Sequence, residues 1–250
     1  FGSYDDKPPG ANFASQYKNL IHRYYHQRGK TEASTFWAGC GAVRRSSCLS
    51  VGGFNRKLYK RPSIEDIDLG HRLLDSGGRI LLLHDLLGTH LKYWTIAEVL
   101  RTDIFQRAIP WSRLILNSKR KINDLNVASG EKIRAVLAGL WFASLLALPL
   151  AFIFPAAAGA FVLMSIVIAV ANRALISFFI NARGVPFAFQ AVLYHQIYYC
   201  YSIVVYAFCW SERFVAGKTY KVGENFPAEI VDSSASLTSE GASSGVADGA

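Results

Sequence analysis

The chain is poor in cysteine, and its cysteines are not arranged for a structural role. The 250 residues include four cysteines, with no CxxC pair and no cysteine–histidine spacing typical of a metal site. Proteins held together by disulfides carry far more cysteine than this, so a disulfide scaffold is excluded. We expect reduced thiols at Cys40, Cys48, Cys200 and Cys209.

Acidic residues are fewer than basic residues in this chain. There are 18 Asp and Glu residues against 27 Lys and Arg, which gives a formal net charge of +9. A basic balance favours an anionic partner such as nucleic acid, a nucleotide or an acidic lipid surface. The chain lacks a basic stripe with interleaved stacking aromatics, so we expect no nucleic-acid partner. A nucleotide and an acidic membrane surface are the remaining candidates.

A signal-peptide pattern is missing from the amino-terminal residues. The chain begins with FGSYDD, which is typical of a strand end that enters a turn. We therefore expect the chain to be a fragment of a longer protein.

Charge is absent from two long segments, residues 135–154 and 156–171. At 1.5 Å rise per residue the first is long enough to cross the hydrocarbon core of about 30 Å, and the second is suited to return. The alternative is a pair of buried helices in a soluble core, but the chain has too few residues to enclose them. A third apolar stretch, 187–210, contains polar residues, and both a spanning and an interfacial position stay open for it.

The lysines and arginines indicate an orientation for these segments. A basic cluster precedes the first segment, Arg173 and Arg183 follow the second, and the turn between the segments has neither residue type. The excess of basic residues on cytoplasmic loops places residues 1–134 in the cytoplasm. Lys218 and Lys221 favour the same side for the end of the chain, which three full spans would not allow. We expect an integral protein of a plasma membrane, such as the bacterial inner membrane.

The soluble part precedes the uncharged segments. Helical spacing of apolar residues predicts a helix over 11–28, and short apolar runs predict strands at 35–43 and 79–83. Residues 93–132 mix Trp, Ile, Leu and Arg at helical spacing up to Pro110. That pattern predicts a helix in the membrane interface, anchored by Trp94 and Trp111.

Four parts follow from these patterns. They are a soluble α/β part over 1–92, amphipathic interfacial helices over 93–132, a membrane region with two or three apolar helices over 133–210, and a polar, largely disordered tail over 211–250.

Three carboxylates interrupt the apolar stretch RPSIEDIDLGHRLL (61–74). Acids in the first turn of a helix complement its dipole, and Asp68 and Arg72 are four residues apart and able to pair. Capping alone would explain all three acids. On a helical wheel, however, Asp66 lies on the apolar side with Leu69 and Leu73. A carboxylate held against apolar side chains has a raised pKa, which suits a general base.

Several segments together resemble the catalytic domain of family 2 glycosyltransferases. They are AGCGAVRR (38–45), VGGF (51–54), SIEDIDLGHRL (63–73), a glycine pair with a strand, and THLKYW (89–94), in this order. The likeness covers about residues 1–115, and GVPFAFQAVLYHQIYYCYS (184–202) is similar to the carboxyl-terminal helices of membrane-bound members. It implies a GT-A fold, an α/β sandwich that binds a nucleotide-sugar donor with a divalent metal, Mg²⁺ or Mn²⁺. It also implies inverting transfer to a hydroxyl of a lipid or glycan acceptor.

The resemblance assigns roles to single residues. Asp66 would take the proton of the acceptor hydroxyl, and Glu65 would neighbour the acceptor. Trp37 is a further candidate to line a sugar or lipid site, with core packing as its simpler interpretation. The other roles are backbone approach to a substrate at Gly39 and Gly41, phosphate binding by Arg44 or Arg45, and metal binding by His90.

Two departures from the family pattern limit these expectations. The acidic DxD motif that holds metal and diphosphate is absent, since the early acids Asp5 and Asp6 lie in a proline-bounded turn. In QRAIPW (106–111), Pro110 stands where the QxxRW motif of processive synthases has arginine. These differences favour a chain without its donor-binding half and an enzyme that adds single sugars. The alternative is a non-catalytic membrane protein whose cytoplasmic face binds a protein or lipid partner.

The missing donor motif leads to a first prediction. Residues 1–250, purified by themselves, are expected to transfer no sugar, because little in them would hold a nucleotide. The measurement is release of nucleotide and labelling of acceptor lipid from a panel of radiolabelled nucleotide-sugars. Transfer above the rate of a protein-free blank would contradict the prediction.

Overall fold

A computed structural model describes residues 1–118 and 125–220, and in these residues the chain is mostly helical. Short 3₁₀ turns connect some of the helices, and a π-helix occupies Thr102–Ala108. The α-helices are α1 (Phe13–Arg28), α2 (Arg45–Ser50), α3 (Glu65–Asp75), α4 (Ile96–Arg101), α5 (Ile109–Asn117), α6 (Ser129–Leu146), α7 (Ala156–Ala171), α8 (Arg173–Arg183) and α9 (Val185–Phe214).

The predicted α/β GT-A sandwich is wrong for this part of the chain. The sheet in the described residues has two parallel strands of two residues, β1 (Ser3–Tyr4) and β2 (Leu87–Gly88). The segment predicted as a strand at 35–43 contains a 3₁₀ turn instead, and residues 79–83 make one isolated bridge, between Leu81 and Glu32. Apolar runs become strands only where a long enough neighbouring backbone pairs with them, and here the backbone partners are only Phe1 and residues 31–33. Ile80 and Leu82 nevertheless pack into the core with α3.

The helix predicted over 11–28 is confirmed as α1 and forms the centre of the main core. Its apolar face packs against α4, α8 and α9, with Tyr17, Leu20 and Phe179 among the buried side chains. The opposite side of α1 is buried as well, because Lys18 makes an ion pair with Asp103 of the π-helix. The soluble part and the predicted membrane region therefore share one core, and the boundaries expected near 92 and 132 do not separate two cores.

Residues 96–117 form one continuous helix, and the predicted stop at Pro110 is wrong. The π-helix (Thr102–Ala108) joins α4 to α5, and Pro110 is the second residue of α5, directly after the π-helix. Trp94 is buried in the main core, and Trp111 packs against Ile64 and Leu114. Trp94 is therefore not available as a membrane anchor.

The uncharged segment 135–154 is not one helix, contrary to the expectation of a single span. Helix α6 ends at Leu146, and Pro149 begins a 3₁₀ turn, because proline cannot continue the hydrogen bonding of the preceding helix. Among the described residues, no individual helix has the length and apolar character needed to cross a bilayer. The consecutive helices α7 and α8, bent by 68° at their junction, meet the requirement as a pair, judged by length and composition.

Some sequence predictions fall outside the described residues. The basic cluster at 119–121 and residues 221–250 of the predicted tail are among them. The predicted start of that tail at residue 211 is wrong, because α9 continues to Phe214. The expectation for cysteine is confirmed, because all four cysteines are free thiols.

Candidate functional site

Asp66 lies half-buried in the first turn of α3, with both carboxylate oxygens held by backbone amides. The amide N–H of Ala38 donates to Oδ2 at 3.0 Å, and that of Ile67 donates to Oδ1 at 2.8 Å. Burial raises the pKa of Asp66 above the ordinary aspartate value, although the two N–H groups act in the opposite direction. A carboxylate with these properties is able to accept a proton from a bound hydroxyl.

A close packing contact explains why Ala38 reaches Asp66. Gly70 lies one turn after Asp66, and a Cβ atom there would come within 2.7 Å of the backbone N and the Cβ of Phe36. The absence of a side chain lets residues 36–38 run directly against α3. Leu69 and Leu73 hold the other part of the helix in the core.

The other two acids of the segment have local partners. Glu65 accepts a hydrogen bond at 2.6 Å from the N–H of Ser63, which lies just before the start of α3. Asp68 pairs with Arg72 at 3.0 Å, as predicted, but each side chain is only 1% exposed. This ion pair is therefore buried in the core, and the acceptor role of Glu65 stays a prediction.

An aromatic cluster adjoins Asp66. The ring of Tyr4 lies 4.6 Å from Trp37 and 4.7 Å from His90, measured between centroids. Pairing of β1 with β2 produces this arrangement, because Tyr4 lies opposite Gly88, two residues before His90. Burial raises the pKa of Tyr4 to about 12, and the charge of Asp66 adds to that effect. The cluster offers apolar ring faces beside a carboxylate, a combination suited to a sugar or a lipid headgroup.

His90 does not lie in a metal-binding environment. Its ring stacks on Trp94 at 6.3 Å, and burial together with the charges of Arg107, Lys92 and Lys18 lowers its pKa. Over residues 1–118 and 125–220, no group of three or more His, Cys, Asp or Glu side chains is placed to hold a metal ion. The residues around His90 do not fit the predicted divalent metal, and we derive no step through one.

Arg107 is the site residue that sequence reasoning missed. It lies in the π-helix, half-buried, and its Nη1–H donates to Nε2 of His22 at 2.7 Å. Its charge acts on Asp66, Tyr4 and His90 alike. The QRAIPW segment contained the signal, because it resembled QxxRW, but the arginine stands next to the glutamine instead of at position 110. Long π-helical segments are rare and frequently occur at functional sites.

The remaining predicted residues divide into two groups. Gly39 and Gly41 are packed against the aromatic cluster, because a Cβ on Gly39 would meet the Trp37 ring at 2.3 Å and one on Gly41 would meet the Trp37 carbonyl at 2.6 Å. The glycines therefore shape the Trp37 wall of the site. Arg44 and Arg45 are exposed at the start of α2, and the carbonyl of Arg44 accepts the N–H of Cys48 as a helix start.

The chain was compared with protein families, curated proteins and solved structures. No protein-family model, no curated protein and no solved structure matches the chain. The function has to be inferred from the geometry of Asp66 and its surroundings.

Proposed function

We propose that the chain belongs to a membrane-bound enzyme that moves a sugar from a nucleotide-sugar donor to a hydroxyl group of a lipid or glycan acceptor. Asp66 is the general base of this reaction. The observation that carries the proposal is the half-buried carboxylate of Asp66, which is fixed by two backbone N–H groups beside an aromatic cluster and Arg107. The segments that resemble family 2 glycosyltransferases surround the same residue.

The proposed step is a single displacement that inverts the anomeric carbon. The acceptor oxygen attacks the anomeric carbon, and its proton moves to Asp66 as the new bond forms. The bond from the anomeric carbon to the nucleotide phosphate breaks, and its electron pair leaves with the nucleotide. Burial raises the pKa of Asp66 above the ordinary aspartate value, which makes the carboxylate a better proton acceptor. Tyr4 and Trp37 give the sugar ring an apolar wall.

Arg107 provides positive charge for the anionic part of the substrate in this proposal. Guanidinium groups suit phosphate because their fork of donors matches two oxygens at once. Donation from Arg107 to His22 requires an unprotonated Nε2, and burial and the neighbouring charge of Arg107 hold the pKa of His22 well below its usual value. The net charge of +9 agrees with an anionic donor and with an anionic membrane surface.

The role of Arg107 gives a second prediction. Arg107→Gln is expected to raise the KM for the nucleotide-sugar about 10–100-fold, because a charge-assisted hydrogen bond contributes roughly 1.5–3 kcal/mol. The measurement is initial rate against donor concentration. Arg101→Gln, the same change at an exposed position of α4, is the control and should leave KM within about twofold. Equal KM values for the two variants would contradict a phosphate-binding role.

The test of the proposed function uses membranes from cells that express the chain from its own gene. These membranes are incubated with a panel of radiolabelled nucleotide-sugars, and the lipid extract and the polymer fraction are counted. We expect label from one donor in one fraction, with inverted anomeric configuration, and none in membranes from a deletion strain. Equal labelling in both membranes for every donor would contradict the proposal and favour the non-catalytic, partner-binding alternative.

A further inference from the structure

Helix α9 exposes an apolar stripe along its whole length. The stripe runs through Val185, Phe189, Leu193, Ile197, Val204 and Phe208, all of them exposed, with Phe189 at 66% and Val204 at 67%. At about 100° per residue these side chains fall within an arc of about 140°. Val215, at the end of α9, is exposed on the same side. Apart from Gln196, which lies at the edge of this arc and is buried, the apolar side chains of this face have no covering partner among the described residues.

The opposite face of α9 is buried and polar. His195 is fully buried, and its two ring nitrogens lie 2.7 Å from the hydroxyl of Tyr17 and 3.1 Å from that of Tyr25, both on α1. Tyr199 donates a hydrogen bond to Glu131 at 2.5 Å. The middle of α9 is therefore fixed to α1, the same helix that carries Lys18 and Arg23.

The packing of α9 against α1 argues against a transmembrane position. The stripe from Val185 to Phe208 is about 35 Å long, and the hydrocarbon core is about 30 Å thick, so its length alone does not decide between the two positions. A crossing α9, however, would carry the charged side chains of α1 into hydrocarbon, at a cost of several kcal/mol. A helix lying along the membrane surface places its apolar stripe among the acyl chains and keeps its opposite face packed against α1.

The hairpin of α6 and α7 is the element suited to deep insertion. Residues 135–171 have no charge, and the turn between the helices is exposed and apolar, with Phe152 at 97%. Trp141 of α6 donates to the Ser165 hydroxyl of α7 at 3.0 Å, so the two helices lie side by side. Basic residues stand at the open end of the hairpin, Arg134 before it and Arg173 after it. The bend of 68° after α7 then turns α8 away from the hairpin axis, towards the membrane plane.

We infer that α9 lies in the interfacial plane of a phospholipid bilayer, with its apolar stripe among the acyl chains. The α6–α7 hairpin enters the same leaflet with its tip deepest, and the residues after α9 stay on the side of Asp66. Lipid with anionic headgroups covers the stripe, because the chain has a net charge of +9 and its hairpin is flanked by basic residues. This arrangement does not depend on sugar transfer.

The test uses the unaltered chain in vesicles of phosphatidylcholine and phosphatidylglycerol. Two phospholipids with a photoactivatable group, one near the headgroup and one near the acyl terminus, are incorporated separately, and labelled residues are mapped by mass spectrometry. We expect the shallow probe to label both ends of α9 within about twofold, because the helix is parallel to the surface. The deep probe should label the turn around Phe152 at least about fivefold more than any part of α9.

Two other outcomes would overturn the inference. A crossing α9 would give strongest labelling by the deep probe at its middle, near Ile197, and by the shallow probe at its ends. A second copy or another protein covering the stripe would give labelling of the hairpin but none of α9. The expected labelling, together with no sugar transfer in membranes from cells that express the chain from its own gene, would contradict the proposed function alone, so the two proposals fail separately.

Discussion

Asp66→Asn is expected to lower the rate of sugar transfer by about 10²–10⁴-fold, the usual contribution of a general base. Asparagine has nearly the same shape and keeps an oxygen for the N–H of Ala38, but it cannot accept the proton of the acceptor hydroxyl. Substrate binding should change little, so the loss should appear in kcat. A loss that appeared only in KM would indicate a binding role for Asp66.

The same substitution should change the stability of the chain only a little, because two effects oppose each other. Because the pKa of Asp66 is raised in the folded state, protonation favours folding below that pKa, and this contribution is lost as the pH rises through it. At neutral pH asparagine removes the cost of the ionised carboxylate, but its NH2 group replaces one of the two oxygens that accept a backbone N–H. The measurement is the thermal midpoint in detergent micelles, next to the transfer rate. Asp85→Asn, the same change at an exposed carboxylate, is the control and should leave both quantities unchanged.

Arg72→Met is expected to lower the free energy of unfolding by about 3–5 kcal/mol, because it leaves a buried carboxylate without its partner. Arg72 pairs with Asp68 and also donates to the carbonyls of Val51 at 2.5 Å and Gly53 at 2.7 Å. The side chain thus fixes residues 51–53 to the helix that carries Asp66. For a chain of this size the thermal midpoint should fall by about 10 °C.

A matched substitution separates burial from charge. Arg79 pairs with Glu32 at 3.1 Å, and these side chains are 73% and 62% exposed. Arg79→Met should therefore cost only about 0–1 kcal/mol. The double variant Asp68→Leu with Arg72→Met should recover part of the loss, because it also removes the unpaired carboxylate. Equal midpoints for Arg72→Met and Arg79→Met would contradict a structural role for the buried pair.

The features predicted correctly from sequence are those set by local spacing. The period of Tyr17, Leu20 and Tyr24 identified α1, and the four-residue separation of Asp68 and Arg72 identified their ion pair. Each of these conclusions needs only the geometry of a single helix.

The features that sequence could not predict depend on distant segments. Whether residues 79–83 become a strand depends on partner backbone, and here Phe1 and residues 31–33 supply only enough for one isolated bridge. Burial of His195 depends on Tyr17 and Tyr25, about 170 residues away along the chain. Arg107 joins the site through His22, on another helix. No local pattern reports such contacts, and a resemblance built on short motifs gave the wrong fold class.

The central claim, that Asp66 is the base, is tested most directly by the pH dependence of the transfer rate. The measurement compares membranes that contain the unaltered chain with membranes that contain Asp66→Asn, at saturating donor. The proposal predicts a rate that falls on the acid side with an apparent pKa above the ordinary aspartate value, because burial raises the pKa of Asp66. It also predicts that the residual rate of Asp66→Asn lacks this fall. The same fall of the transfer rate at acidic pH in both proteins would show that another group takes the proton.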